Sequence, residues 1–146
     1  MFQNARDVAE ASLRLVEMAR VASRSGDPQQ VASLEIAAAV LVVHVSDWHV
    51  RQHGHADKRI KMFAAFSPEW EALRLLSKGL KHAVPNVEPP TQRDTAWEDP
   101  DGWELGFAPS TLFVPVDGRD RSVRIMTERF CRDYLARNST IQPVTA

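Results

Sequence analysis

His44, Asp47, Trp48 and Arg51 stand three, four and seven positions apart in a stretch that otherwise reads as helix, so they share one side of it. An aspartate one turn from a histidine can hold a single imidazole tautomer and leave the second nitrogen to take up a proton, the arrangement of a general base. The same residues can also form a self-satisfied polar network that fixes how helices pack. What singles them out is their setting. The run Ile36 to Val45 is apolar except for His44, and an unpaired imidazole or carboxylate in a dry core costs several kcal/mol, on the order of the penalty for an unsatisfied buried polar group. Either these groups find partners inside the fold or they line a cleft.

A second set, Arg74, Lys78, Lys81 and His82, recurs at spacings of four, three and one. It predicts a cationic stripe along a helix that ends in a histidine. A phosphate backbone can lie along such positive groups while His82 handles a proton; RNA cleavage asks for an imidazole near the 2′-hydroxyl and a fixed cation at the phosphate. The catalytic candidates are therefore His82, Lys78, Arg74, His44 and Asp47, with Lys81, Lys78 and Arg74 as RNA contacts. The structural alternative is a solvated charged face. A third set, His49 and His53 with His55 and Asp57 nearby, has an imidazole spacing that can grip a metal. It lacks the intervening glutamate of a metalloprotease and is followed by Gly54, and histidines at a helix C-terminus are favoured by the dipole alone. No metal and no other cofactor is expected.

The elements that must carry these residues are mostly helical. Val8, Ala11, Leu15, Met18 and Ala22 predict an amphipathic helix from Asn4 to Ser23, ended by Ser25-Gly26. Asp27-Pro28-Gln29-Gln30 opens a second helix that runs to His53, about 40 Å long, whose apolar centre predicts neighbours on most sides. After a short basic link, Ser67-Pro68-Glu69 starts a third main helix to Ala83, with Trp70, Leu73, Leu76 and Leu80 as its packing stripe. Residues 84–109 hold many acids and prolines and read as a long irregular loop anchored by Trp97, Trp103 and Phe107. Thr111 to Val116, a turn over Asp117 to Asp120, and Ser122 to Met126 read as a β-hairpin in which Pro115 requires an edge. Thr127 caps a last helix to Asn138, and Ser139 to Ala146 reads as a frayed tail. The expected fold is mainly α: one domain over 1–146, a bundle of four principal helices with a small β-hairpin before the last.

With 146 residues, 44% apolar and 25% charged, the chain suits a single globular core without disulfides. No uninterrupted apolar run approaches the roughly 18 residues of a spanning helix, and the start lacks the order of a signal peptide, so no membrane and a cytoplasmic location are expected. The lone Cys131 falls on an apolar stripe and reads as packing. A net charge of −1 argues against a globally basic nucleic-acid binder, but Lys58 to His82 is basic and Glu88 to Glu104 acidic. The acidic loop is a candidate partner for the cationic stripe.

The long helix with H-x-x-D-W (His44, Asp47, Trp48), the helix ending in Lys81-His82, and the hairpin before a closing helix resemble a group of helical proteins of bacteria and phages. More distantly they resemble the HEPN superfamily of small helical domains. The overlap runs from Ala32 to Ala83, and beyond that only in the order of elements. HEPN proteins are often dimeric, and many are RNases of toxin–antitoxin and anti-phage systems that use an R-x(4-6)-H motif near a helix end. Here seven residues separate Arg74 from His82, and Lys78-x-x-x-His82 places a lysine where that family has arginine. The resemblance implies a metal-independent, HEPN-like RNA-interacting or RNA-cleaving component of a bacterial or phage conflict system, acting as a homodimer. The rival expectation is a non-catalytic module that dimerises or binds a protein partner.

Overall fold

The computed structural model describes residues 2–82, 89–96, 99–105 and 110–143, and for Lys81, His82 and Trp103 the backbone alone. Helix α1 (Ala5–Ser25) starts where the Asn4 side chain accepts from the Asp7 amide at 2.9 Å, and stops at Gly26, whose φ of 78° an L side chain rarely adopts. Helix α2 (Pro28–His53) follows at once, with Asp27 accepting from the Gln30 amide and the Gly54 amide closing the last turn on Val50. Helix α4 (Pro68–His82) begins where the Ser67 hydroxyl accepts from the Trp70 amide. These three starts, and the stops of α1 and α2, lie where the capping residues predict them; the expected end of the third helix at Ala83 lies outside the described residues.

Four segments differ. The basic link is in part a helix, α3 (Arg59–Phe66), which sends Met62 and Phe63 into the core. Phe63 meets Trp70 at a ring separation of 5.4 Å, Phe130 at 6.2 Å and His49 at 5.3 Å, so the segment expected to connect supplies the centre of the aromatic cluster. The last helix, α6 (Val123–Arg137), starts five residues earlier than a cap at Thr127 predicts, because Ser122 caps the Ile125 amide. Thr127 is instead buried inside the helix. The acidic segment is not wholly irregular: strand β1 (Thr91–Arg93) and the short helix α5 (Gly102–Leu105) fall within it. Trp97 and Phe107 lie outside the described residues. In the expected tail, Asn138–Thr140 form one 3-10 turn and Ile141 packs on the core.

The hairpin is part of a three-stranded antiparallel sheet, ordered β1, β2 (Thr111–Val116), β3 (Arg119–Ser122). Asp117 and Gly118, at φ of 52° and 78°, form the two-residue turn that matches strand twist. Strand β2 is therefore central, yet Pro115 does not break the sheet. Strand β1 pairs only with Thr111, Leu112 and Phe113, so at Pro115 one side of β2 has no ladder and a missing N–H costs nothing there.

Helix α2 is the axis of the protein, packed by α1, α4 and α6 and touched by β2. By length and mean hydropathy it is apolar enough to cross a membrane, although no uninterrupted run of it is; in this fold it is the core helix. The helix α1 packs through a smaller stripe than expected, Ala5, Val8, Ala9, Ser12, Val16, Ala19 and Ala22, while Met18 is exposed. Small side chains let the two backbones close up, and the Ser12 hydroxyl donates to the Ala38 carbonyl of α2 at 2.8 Å.

Glu35 ties the sheet to α2. Its carboxylate is fully buried and accepts from the Leu112 amide at 2.8 Å and from the Thr111 hydroxyl, with the buried Arg124 Nε at 3.7 Å. Burial pushes its pKa up to about 7 against the pull of these donors.

Candidate functional site

Helix α2 is not covered all round. Ser33, Ala37, His44, Asp47 and Arg51 are exposed along it, with Val40 half-buried between them. Of the two settings open to this pair, a partnered place inside the fold or a cleft, it takes the open one: the His44 side chain is 55% exposed and that of Asp47 50%. The apolar run is continuous because α1, α6 and the sheet bury its other faces; the polar residues mark the one face left open.

That face forms a wall of a groove of about 640 Å³, whose other wall is α4. From α2 come Ile36, Val40, Val43, His44 and Asp47; from α4 come Arg74, Ser77, Lys78 and Leu80; Arg59 of α3 closes one end. Four of the residues singled out from the sequence thus line one groove: His44, Asp47, Arg74 and Lys78. The side chains of Lys81 and His82 lie outside the described residues, although both residues belong to the last turn of α4. Arg51 does not join the set, since its guanidinium lies over the Trp48 ring at 5.4 Å.

The groups in the groove differ in how far they are already committed. His44 Nδ1 is 3.3 Å from Asp47 Oδ2. Asp47 Oδ1 is in turn 3.3 Å from Arg59 Nε, and Arg59 Nη1 donates to the Ser46 hydroxyl at 2.8 Å. Arg59 also sits over the Trp70 ring at 5.9 Å. The order Arg59, Asp47, His44 fixes the carboxylate from both sides and engages Nδ1, so Nε2 is the imidazole nitrogen left for another molecule. Arg74 makes two bonds to Glu71, at 2.9 and 2.7 Å, and this partner holds its guanidinium protonated above the ordinary range. It is a weaker phosphate contact than the bare stripe implies, because its charge is largely answered. Lys78 is exposed and makes no ion pair or hydrogen bond among the described residues. It is the groove's most available cation.

The acidic segment is not the partner of this stripe among the described residues. Asp99 binds Arg93 through two bonds, Asp101 binds Arg121 at 2.9 Å, and Glu104 pairs with Arg129. These arginines belong to the sheet and α6, on another side of the molecule, and the groove keeps its positive groups.

Arg59 was not a candidate from sequence, because it reads there as one more charge in a basic link; only the helical turn of α3 and the Trp70 face bring it to Asp47. On another face of the C-terminal half of α2, His49 is buried with its Nδ1 2.7 Å from the Tyr134 hydroxyl, and burial lowers its pKa to about 4. The expected solvated helix end therefore applies to His53 and His55 but not to His49. No protein-family model matches this chain, and no curated protein or solved structure matches it either.

Proposed function

We propose that this protein is an HEPN-like RNA-interacting domain of a bacterial or phage conflict system, and that the α2/α4 groove is where it engages the RNA backbone. One observation carries the proposal: His44 and Asp47 from one helix and Arg74 and Lys78 from another line the same open groove. In this reading Lys78 contacts a phosphate, and His44 Nε2 takes the proton of the 2′-hydroxyl as that oxygen attacks the adjacent phosphorus. Asp47, braced by Arg59, stabilises the imidazolium that forms. The proton at the departing 5′-oxygen is the task left to His82.

Single-stranded labelled RNA incubated with the wild type, His44→Ala and Lys78→Ala tests this. Cleavage by the wild type with a loss on the order of 10²-fold or more in His44→Ala is the expected result for a positioned base. Binding without cleavage by any of the three reduces the role to an RNA-binding one, and neither binding nor cleavage removes RNA altogether.

A second reading, a module that dimerises or holds a protein partner, is favoured by apolar exposure beside the groove. Leu80 of α4 is 46% exposed, and Ile36, Val40 and Val43 form a half-buried wall. Sedimentation of the wild type and Leu80→Glu separates the readings: a dimer that the glutamate dissociates supports the module.

A further inference from the structure

The end of α2 opposite Pro28 carries a second cluster that the groove does not use. His49 and His53 lie one helical turn apart, ring centres separated by 4.5 Å and planes inclined at 42°. They face a cavity of about 360 Å³, lined also by Gly54, His55, Met62, Asn138 and Gln142. We propose that His49 and His53 together bind one divalent late-transition-metal ion, of the zinc, nickel or copper class, through their Nε2 atoms.

The ring separation is the first support. With metal–nitrogen bonds of about 2.0–2.1 Å, the centre of a coordinated imidazole stands about 3.2 Å from the ion. Two such rings at a right angle are then about 4.5 Å apart, and at the tetrahedral angle about 5.2 Å. The observed 4.5 Å falls at the lower of these. The second support is the state of His49. Tyr134 engages its Nδ1 at 2.7 Å, and when the hydroxyl accepts the Nδ1 proton the lone pair sits on Nε2, the usual arrangement of a metal-bound histidine held from behind. Imidazole pairs favour this part of the transition series over magnesium or calcium. Among the described residues no group of three or more histidine, cysteine, aspartate or glutamate side chains surrounds a common point. The ion therefore takes two protein ligands and keeps its other positions for water or an exogenous ligand, unlike a closed structural zinc site.

Calorimetric titration of the full chain with zinc chloride at pH 7 in a non-coordinating buffer, paired with nitrogen NMR of the imidazoles, tests the site. One zinc per chain is expected, with the His49 and His53 nitrogens shifting together, at least tenfold weaker binding in His53→Ala, and unchanged binding in His55→Ala. His53 is exposed, so its replacement leaves the fold intact. Absence of zinc binding, equal affinity in His53→Ala, or zinc-induced shifts that leave His49 unmoved would each overturn the assignment.

Discussion

Asp47 has two neighbours that pull its role in one direction. Arg59 fixes the carboxylate on one oxygen while His44 rests on the other, so the aspartate orients an imidazole rather than binding phosphate itself. Arg59→Gln is expected to loosen the Asp47 carboxylate and with it the orientation of the His44 ring; side-chain NMR coupling constants measure that orientation, and an unchanged ring contradicts the bracing. Two buried groups make a sharper pH prediction. The folded state raises Glu35 from 4.5 to about 7, so folding takes up a proton in that window, and this contribution to stability is full below about pH 4.5 and declines as pH rises through 7. His49 is lowered from 6.5 to about 4, so the unfolded chain binds the extra proton there, and stability rises with pH across that window. Each shift corresponds to about 3 kcal/mol, and the two oppose one another over pH 4.5 to 6.5. Urea denaturation across that range is expected to show a nearly flat wild type, a rising curve for Glu35→Gln and a falling one for His49→Gln. Neither buried group was legible in the sequence, because Glu35 sits at a helical position that reads as surface until α6 and the sheet close over it.

At the level of elements, what could be read was what local chemistry decides. Asn4, Asp27, Gly54 and Ser67 cap their helices as their side chains and conformational freedom dictate. What could not be read was decided by tertiary packing. Val123-Arg124-Ile125-Met126 has the residue types of a strand, yet all four are buried together in the first turn of α6, where Arg124 meets Glu35. The two-faced burial of a helix end inside the protein leaves no alternation to detect. Helix α3 was hidden by its charges, although Met62, Phe63 and Phe66 have helical spacing. Because Phe63 is fully buried against Trp70, Phe130 and His49, Phe63→Ala is expected to cost about 3–5 kcal/mol in chemical denaturation, whereas exposed Ile60→Ala in the same helix is expected to change stability by less than about 1 kcal/mol. A small effect at Phe63 would return the segment to a linker. The groove itself is a consequence at this scale: the sequence placed His44 and Lys78 on separate helices, and only the packing of α4 beside the open face of α2 brings them to one cavity.

Over the whole molecule, charge is distributed so that an overall balance near zero conceals a local site. The net charge of −1 gives no long-range attraction for a polyanion. Asp99, Asp101 and Glu104 are paired with Arg93, Arg121 and Arg129, leaving Lys78 and the His44 ring presented at the groove. RNA affinity is therefore expected to be modest and steeply dependent on salt, with Lys78→Ala lowering the slope of log Kd against log salt by roughly 1. The central claim, that the α2/α4 groove is the RNA-contacting surface, is tested most directly by amide and side-chain NMR of the labelled protein titrated with a short single-stranded RNA. The account predicts shifts concentrated at His44, Asp47, Arg59, Ser77 and Lys78, with Asp101 and Arg121 unmoved; shifts confined to the sheet side, or none at saturating RNA, would contradict it.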